Sequence, residues 1–260
     1  MAIITLTSDW RSYDYYVGAV KGSILSAYID AIIVDINHQV SPFNTAQAAF
    51  ILKNSYRYFP AGSVHIMDVN SEPSELASCI AIEYEEHYFI GTDSGGFGLI
   101  CKDDVKTVVR IEKFSDKESR TFPALHVFAP SAAHLAMGKS INELGSPLLD
   151  INRQTPLRAT IDEAVIVGSV IYIDSYQNVI TNISKELFER VGRNRRFEIL
   201  VQSNHYKINR INITYNETSN GELLAIFNST GLLEIAINKG NIAELLNLGI
   251  NSNVRIKFFD

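Results

Sequence analysis

Cysteine is scarce in this chain: Cys79 and Cys101 are the two among 260 residues, each inside an apolar stretch. Two cysteines so placed make neither a disulfide framework nor a CxxC or Cys/His metal-ligand spacing. Both read as buried packing residues, and no metal is expected. Long apolar runs are missing too, since nothing approaches the ~18 residues of a membrane span. The opening MAIITLTSDW has neither a basic start nor the apolar core of a secretory leader, so the cytoplasm is the expected location. Basic charge is not in excess: 23 Lys and Arg face 29 Asp and Glu, for a net charge of −6. Nucleic-acid affinity rests mainly on phosphate neutralisation, so nucleic acid is excluded as an expected partner. The short cluster Arg193, Arg195, Arg196 reads as a solvated loop. The sequence shows no internal repeat and no low-complexity tract.

What is present is a globular composition, 46% hydrophobic and 20% charged, enough to bury a substantial core. The first seventy residues alternate in type. Ile3–Thr7, Ala31–Ile36 and Ser63–Met67 are short β-branched runs that predict buried strands. Between them, Tyr16, Val17, Val20, Ile24 and Ala27 fall at helical spacing, and Thr45–Tyr56 gives a second helix. Such alternation predicts an α/β domain, Rossmann-like and three-layered, on a mostly parallel sheet. Ligands of such sheets sit beyond the carboxyl ends of the strands. Asp9, His38 and Asp68 all fall just past strand ends, a geometric reason to expect one shared pocket.

A polar stretch, Ile151–Ile161, contains Pro156 and reads as a linker. Beyond it the period becomes β: Val165–Ile173, Val179–Ile183, Phe197–Val201, Tyr206–Ile213, Leu223–Phe227, Leu232–Ile237 and Val254–Phe258. Domains over 1–155 (α/β) and 156–260 (a β-barrel-like fold with two short helices) are expected. The glycine-rich run Gly91–Gly98 lacks the lysine of a phosphate loop and reads as structural.

Five segments carry a family resemblance: Thr7-Ser8-Asp9-Trp10 with Asp14-Tyr15-Tyr16-Val17-Gly18; His38-Gln39-Val40-Ser41-Pro42-Phe43; Asp68 through Glu75; Thr121-Phe122-Pro123 through Pro130; and, late in the chain, Asp174-Ser175-Tyr176-Gln177-Asn178 with Asn228 through Gly240. Taken singly, each is bland. Asp14 alone is a helix N-cap, Phe43 a core residue, His126 a surface or turn histidine, and the Asp-Ser and Asn-Ser pairs turn formers. In combination they resemble the S-adenosyl-L-methionine (SAM) hydroxide adenosyltransferase and fluorinase/chlorinase-like family, over nearly the whole chain.

The resemblance implies SAM as ligand. Asp9 would hold the ribose hydroxyls, since an ionised carboxylate offers acceptors only. Asp14 would lie near the methionine ammonium and Phe43 would line the sugar pocket. Asp68, Asp174, Tyr176, Asn178, Ser229, Glu234 and Ala236 are the other implied SAM- or adenosine-binding residues. It also implies a homotrimer with the ligand site at a subunit interface. The reaction would be hydrolysis of SAM to adenosine and methionine by water or hydroxide at the 5′ carbon, with Asp68 and His126 as the catalytic candidates and no cofactor.

Departures from the family pattern bear on that chemistry. Trp10-Arg11 stands for Phe-Gly, Gln177 for a glycine, Glu75 for an arginine and Pro123 for a histidine. The last two predict slow turnover. A non-catalytic SAM- or adenosine-binding sensor is the second reading, and halide transfer the third.

Overall fold

The computed structural model describes residues 3–102, 105–114, 121–203 and 206–259. The chain divides into two compact units, Met1–Thr155 and Pro156–Asp260.

The first unit runs β1 (Ile3–Ser8), α1 (Tyr16–Ala27), β2 (Ile32–Asn37), α2 (Thr45–Lys53), β3 (Val64–Asp68), β4 (Cys79–Tyr84), β5 (His87–Thr92), α3 (Phe97–Ile100), β6 (Thr107–Ile111), α4 (Ala129–Ala136) and β7 (Gly145–Pro147). The strands form one sheet in the order β2-β1-β3-β5-β4-β6-β7. Side chains alternate between two cores. Ile4, Leu6, Ile66, Ala81 and Ile90 pack with Val20 and Ile24 of α1 and Ala132 and Leu135 of α4. Met67, Ile80, Ile82 and Phe89 pack with Ala48, Ala49 and Leu52 of α2. Helices therefore cover both faces. α2 starts where the Asn44 side chain accepts from the Gln47 N–H, satisfying an otherwise orphaned amide.

The sheet is mixed, which corrects the mostly parallel expectation. β2, β1, β3 and β5 pair in parallel, whereas β4, β6 and β7 join antiparallel. The reason is local. Only Glu85 and Glu86 separate β4 from β5, both at positive φ (46° and 63°). A two-residue turn of that hand closes a hairpin and cannot make a parallel crossover.

The second unit contains β8 (Thr160–Asp162), β9 (Val165–Ile173), β10 (Val179–Ser184), α5 (Lys185–Gly192), β11 (Arg196–Val201), β12 (Lys207–Ile208), β13 (Leu223–Phe227), β14 (Leu232–Ile237), α6 (Ile242–Leu245) and β15 (Asn253–Phe259). They form an antiparallel sheet, β12-β11-β15-β9-β10-β14-β13, with β8 on β9. β9 pairs with β15 through its first half and with β10 through its second. This lets the sheet curl around Ile166, Val170, Ile199, Leu233, Ile235 and Ile256. A bridge between Asn212 and Ile226 nearly closes it, giving the barrel-like form the strand spacing predicts.

Candidate active site

β1 and β3 are parallel neighbours in a register that sets Ser8 against Asp68. The carboxylates of Asp9 and Asp68 therefore emerge at the same edge of the sheet. They share a cleft of about 600 Å³, lined also by Trp10, Tyr16, Phe43 and Phe122. Among the described residues that line it there is no Lys or Arg.

Asp68 is 4% exposed. The Trp10 indole N–H donates to its Oδ2 at 2.6 Å, while Oδ1 is buried with no hydrogen-bond partner. Burial pushes the carboxyl up to about 6 against the pull of its donors, because desolvation disfavours the charged form. Trp10 is itself held. Its ring stacks on His38 at 5.7 Å and meets Phe122 edge-on, and Phe122 meets Tyr16 edge-on. His38 does not line the cleft; its Nδ1 bonds the Ser8 hydroxyl at 2.7 Å, so it acts as the floor beneath Trp10. Asp9 accepts the Phe43 N–H at 2.8 Å through Oδ2, and the Phe43 ring stands exposed beside it.

Other first-unit candidates lie elsewhere. His126 is exposed and outside the cleft lining. It sits in a π-helical turn, Ala124–Phe128. Pro123 itself lines the cleft, as does Glu72, whereas Glu75 is exposed and outside it. Asp14 is exposed, and its carboxylate accepts the Tyr15 N–H at 2.8 Å. It is not the helix cap either, since Tyr15 holds the N-cap position of α1. In the glycine-rich run, the buried Asp93 carboxylate accepts the Asn152 N–H, a structural tether.

The second unit has its own cleft, about 690 Å³, lined by Tyr176, Asn178, Tyr215, Ile237, Asn238 and Asn241 among others. Asp174 is not in the lining. Its Oδ1 accepts the backbone N–H groups of Tyr176 (2.9 Å) and Asn178 (2.8 Å), and Oδ2 takes the Asn178 amide at 3.2 Å. Its carboxylate thus builds the turn that presents Tyr176 and Asn178. Glu234 is similarly committed: Tyr215 donates to Oε1 at 2.6 Å and Asn228 to Oε2 at 3.0 Å. Burial, reinforced by Glu234, pushes the Tyr215 phenol upward. Ser229 is exposed on the turn after Asn228, outside the cleft lining. Ala236 is fully buried against Leu224 and Ile226 and serves packing.

Sequence reasoning missed Tyr215 and Asn228 and did not assign Trp10 a role. Tyr215 had no signal beyond its place in a β-rich stretch. Trp10 was visible as a departure in the opening motif. Two other departures show in the backbone: Arg11 and Gln177 adopt φ of 66° and 65°, the left-handed region that a glycine occupies without cost. Among the described residues, no group of three or more His, Cys, Asp or Glu is placed to hold a metal ion, and no helix is long and apolar enough to cross a membrane.

Comparison with known proteins places these clefts in context. A protein of Methanocaldococcus jannaschii named (R)-S-adenosyl-L-methionine hydrolase is 30% identical over 98% of this chain and 95% of its own. A protein of Actinopolyspora mzabensis named fluorinase is 24% identical, covering 98% and 96%. The crystal structure of an uncharacterized conserved protein from Thermotoga maritima superposes with a TM-score of 0.90 at 27% identity, covering 98% of this chain and all of that one. Residues 4–145 match the SAM hydroxide adenosyltransferase N-terminal domain and residues 168–255 its C-terminal domain. The chain belongs to the SAM hydroxide adenosyltransferase family.

Proposed function

We propose that this protein is an enzyme that hydrolyses SAM, in the (R) form for which its relatives are named, to adenosine and methionine. The observation that carries the reading is the match of both units to one family. The geometry of the first cleft suits it. Asp9 keeps Oδ1 free for the ribose hydroxyls while Oδ2 is tied to the Phe43 N–H. Asp68, which lines the cleft, accepts a proton from the attacking water. That water's oxygen forms a bond to the 5′ carbon, and the carbon–sulfur bond breaks with its electron pair going to sulfur. Methionine leaves as a neutral thioether, so neither a general acid nor a cofactor is required. The protein's task is to hold the nucleophile in line, within about 3–3.5 Å, and strip its solvent.

Among the described residues lining the cleft there is no Lys or Arg to pair with hydroxide. Turnover is slower than in relatives that carry one, on the order of a hundredfold. The second cleft, with the Tyr176 ring exposed and the Asn178 amide beside it, suits adenine, through stacking and edge hydrogen bonds. Each unit presents exposed aromatics at its cleft, Phe43 and Tyr15 in one and Tyr176 in the other. We read these as surfaces covered by neighbouring copies in a homotrimer with the ligand at the subunit interface. Incubation with (R)-SAM followed by chromatography tests the activity: equal yields of adenosine and methionine support it, and SAM recovered intact refutes it. A chloride-dependent product in place of adenosine would show halide transfer instead.

A further inference from the structure

We propose that Trp10 is the positioning residue of this site: its indole N–H fixes Asp68 Oδ2 and so sets the orientation of the carboxylate that lines the cleft. The inference rests on the hydrolase reading above. Its ground is geometric. The bond is 2.6 Å long and ends on a side chain only 4% exposed, whose other oxygen has no partner. The indole N–H is a donor only. It therefore selects one carboxylate oxygen and cannot turn around to compete for the proton. The donor is rigid because Trp10 is clamped between His38 and Phe122, with His38 anchored by Ser8. Arg11, at φ 66°, turns the chain so that its N–H reaches the His38 carbonyl at 2.8 Å while Trp10 folds back over the ring. A phenylalanine, the residue the family pattern has here, offers no N–H. The indole supplies a charge-assisted hydrogen bond in a cleft that lacks cations among its described lining residues.

The groups facing Asp68 are few. Asp9 follows β1 and disfavours a second negative charge, Cys79 lies on β4, Glu72 is in the loop after β3 and Tyr16 on α1, and His38 lies behind the indole. The Ser71 hydroxyl, in the loop after β3, pulls the Asp68 carboxyl down, and so does Trp10 through its 2.6 Å bond to Oδ2.

Trp10 is the sole tryptophan of the chain, so its emission reports this contact without any turnover. The experiment has two arms on the full chain. In the first, kcat and KM for (R)-SAM are measured against pH for wild type and Trp10→Phe. The expected result is a kcat lower by about ten- to a hundredfold, a KM changed by less than about threefold, and an acid limb moved to higher pH because the anion has lost its donor. A variant with an unmoved pH profile would make Trp10 a packing residue and overturn the proposal. In the second arm, wild-type emission is titrated from pH 4 to 8. A transition that Asp68→Asn abolishes is expected. A transition that survives in Asp68→Asn and vanishes in His38→Gln, or no transition at all, overturns the proposal. Should wild type release no adenosine, the hydrolase reading falls, while the emission arm still decides whether the indole reads Asp68.

Discussion

Replacing Asp68 by Asn should stabilise the protein while abolishing its turnover. The carboxyl, ordinarily near 3.8, is pushed up to about 6 by burial. The folded state therefore binds its proton more tightly than the unfolded chain, and stability falls as pH rises from about 4 to about 6. At 1.36 kcal/mol per pH unit, the penalty above pH 7 reaches about 3 kcal/mol. Asparagine carries no charge and keeps an acceptor for the Trp10 N–H. Its amide N–H₂ falls where Oδ1 now has no partner, and an unsatisfied buried donor costs about 1 kcal/mol or more. The net gain is about 2 kcal/mol, a rise in Tm of several degrees for a chain of this size. Thermal unfolding of both proteins at pH 7.5 and pH 4 measures it. The advantage should be present at pH 7.5 and gone at pH 4, where wild-type Asp68 is protonated in the fold. An Asn variant no more stable than wild type at pH 7.5, or equally favoured at both pH values, would refute the reasoning. The same group sets the rate: wild-type turnover should rise with pH through about 6, as Asp68 becomes able to accept a proton.

The other predictions concern separate parts of the molecule. Asp9→Ala should weaken adenosine binding by about 2 kcal/mol or more, read by calorimetry, since a charge-assisted contact is lost; unchanged affinity would take Asp9 out of the ribose site. Arg11→Gly and Gln177→Gly should each stabilise by up to about 1 kcal/mol in urea unfolding, because both residues are held at positive φ where a side chain costs energy; destabilisation would contradict that backbone reading. Cys79 and Cys101 are buried, with thiols pushed up to about 11 and about 12 by burial. Both should resist a thiol reagent in the native protein and react on unfolding, and rapid native labelling would overturn their burial. Light scattering should give three times the chain mass, and a monomer would count against the interface site.

How much of this was legible in the sequence depends on the range of the interaction. β1, β3 and α1 announce themselves because β-branched runs and helical spacing are local, and the position of Asp9 and Asp68 past strand ends followed from that. The direction of β4 did not follow. It is set by a two-residue turn of Glu85 and Glu86, which carries none of the Gly or Asn that usually marks a hairpin. His126 lies three residues past Pro123 in a matching segment, and its exposure on a π-helical turn outside the cleft lining is not visible from spacing. The resemblance implies Asp174 and Glu234 as ligand contacts, but that one carboxylate also builds a turn and the other also anchors a tyrosine is not visible in the sequence. Their hydrogen-bond partners are visible only in the fold: Tyr215 is nineteen residues from Glu234. The Trp10–Asp68 bond spans fifty-eight residues and is visible only in the fold.

The most direct test of the central claim is to run the reaction with (R)-SAM in water enriched in the heavy oxygen isotope and weigh the adenosine by mass spectrometry. Water attack at the 5′ carbon puts solvent oxygen into the new 5′ hydroxyl. Labelled adenosine, in equal yield with methionine from wild type and absent from Asp68→Asn, is the expected result. No adenosine, unlabelled adenosine, or labelled adenosine formed equally by Asp68→Asn would contradict it.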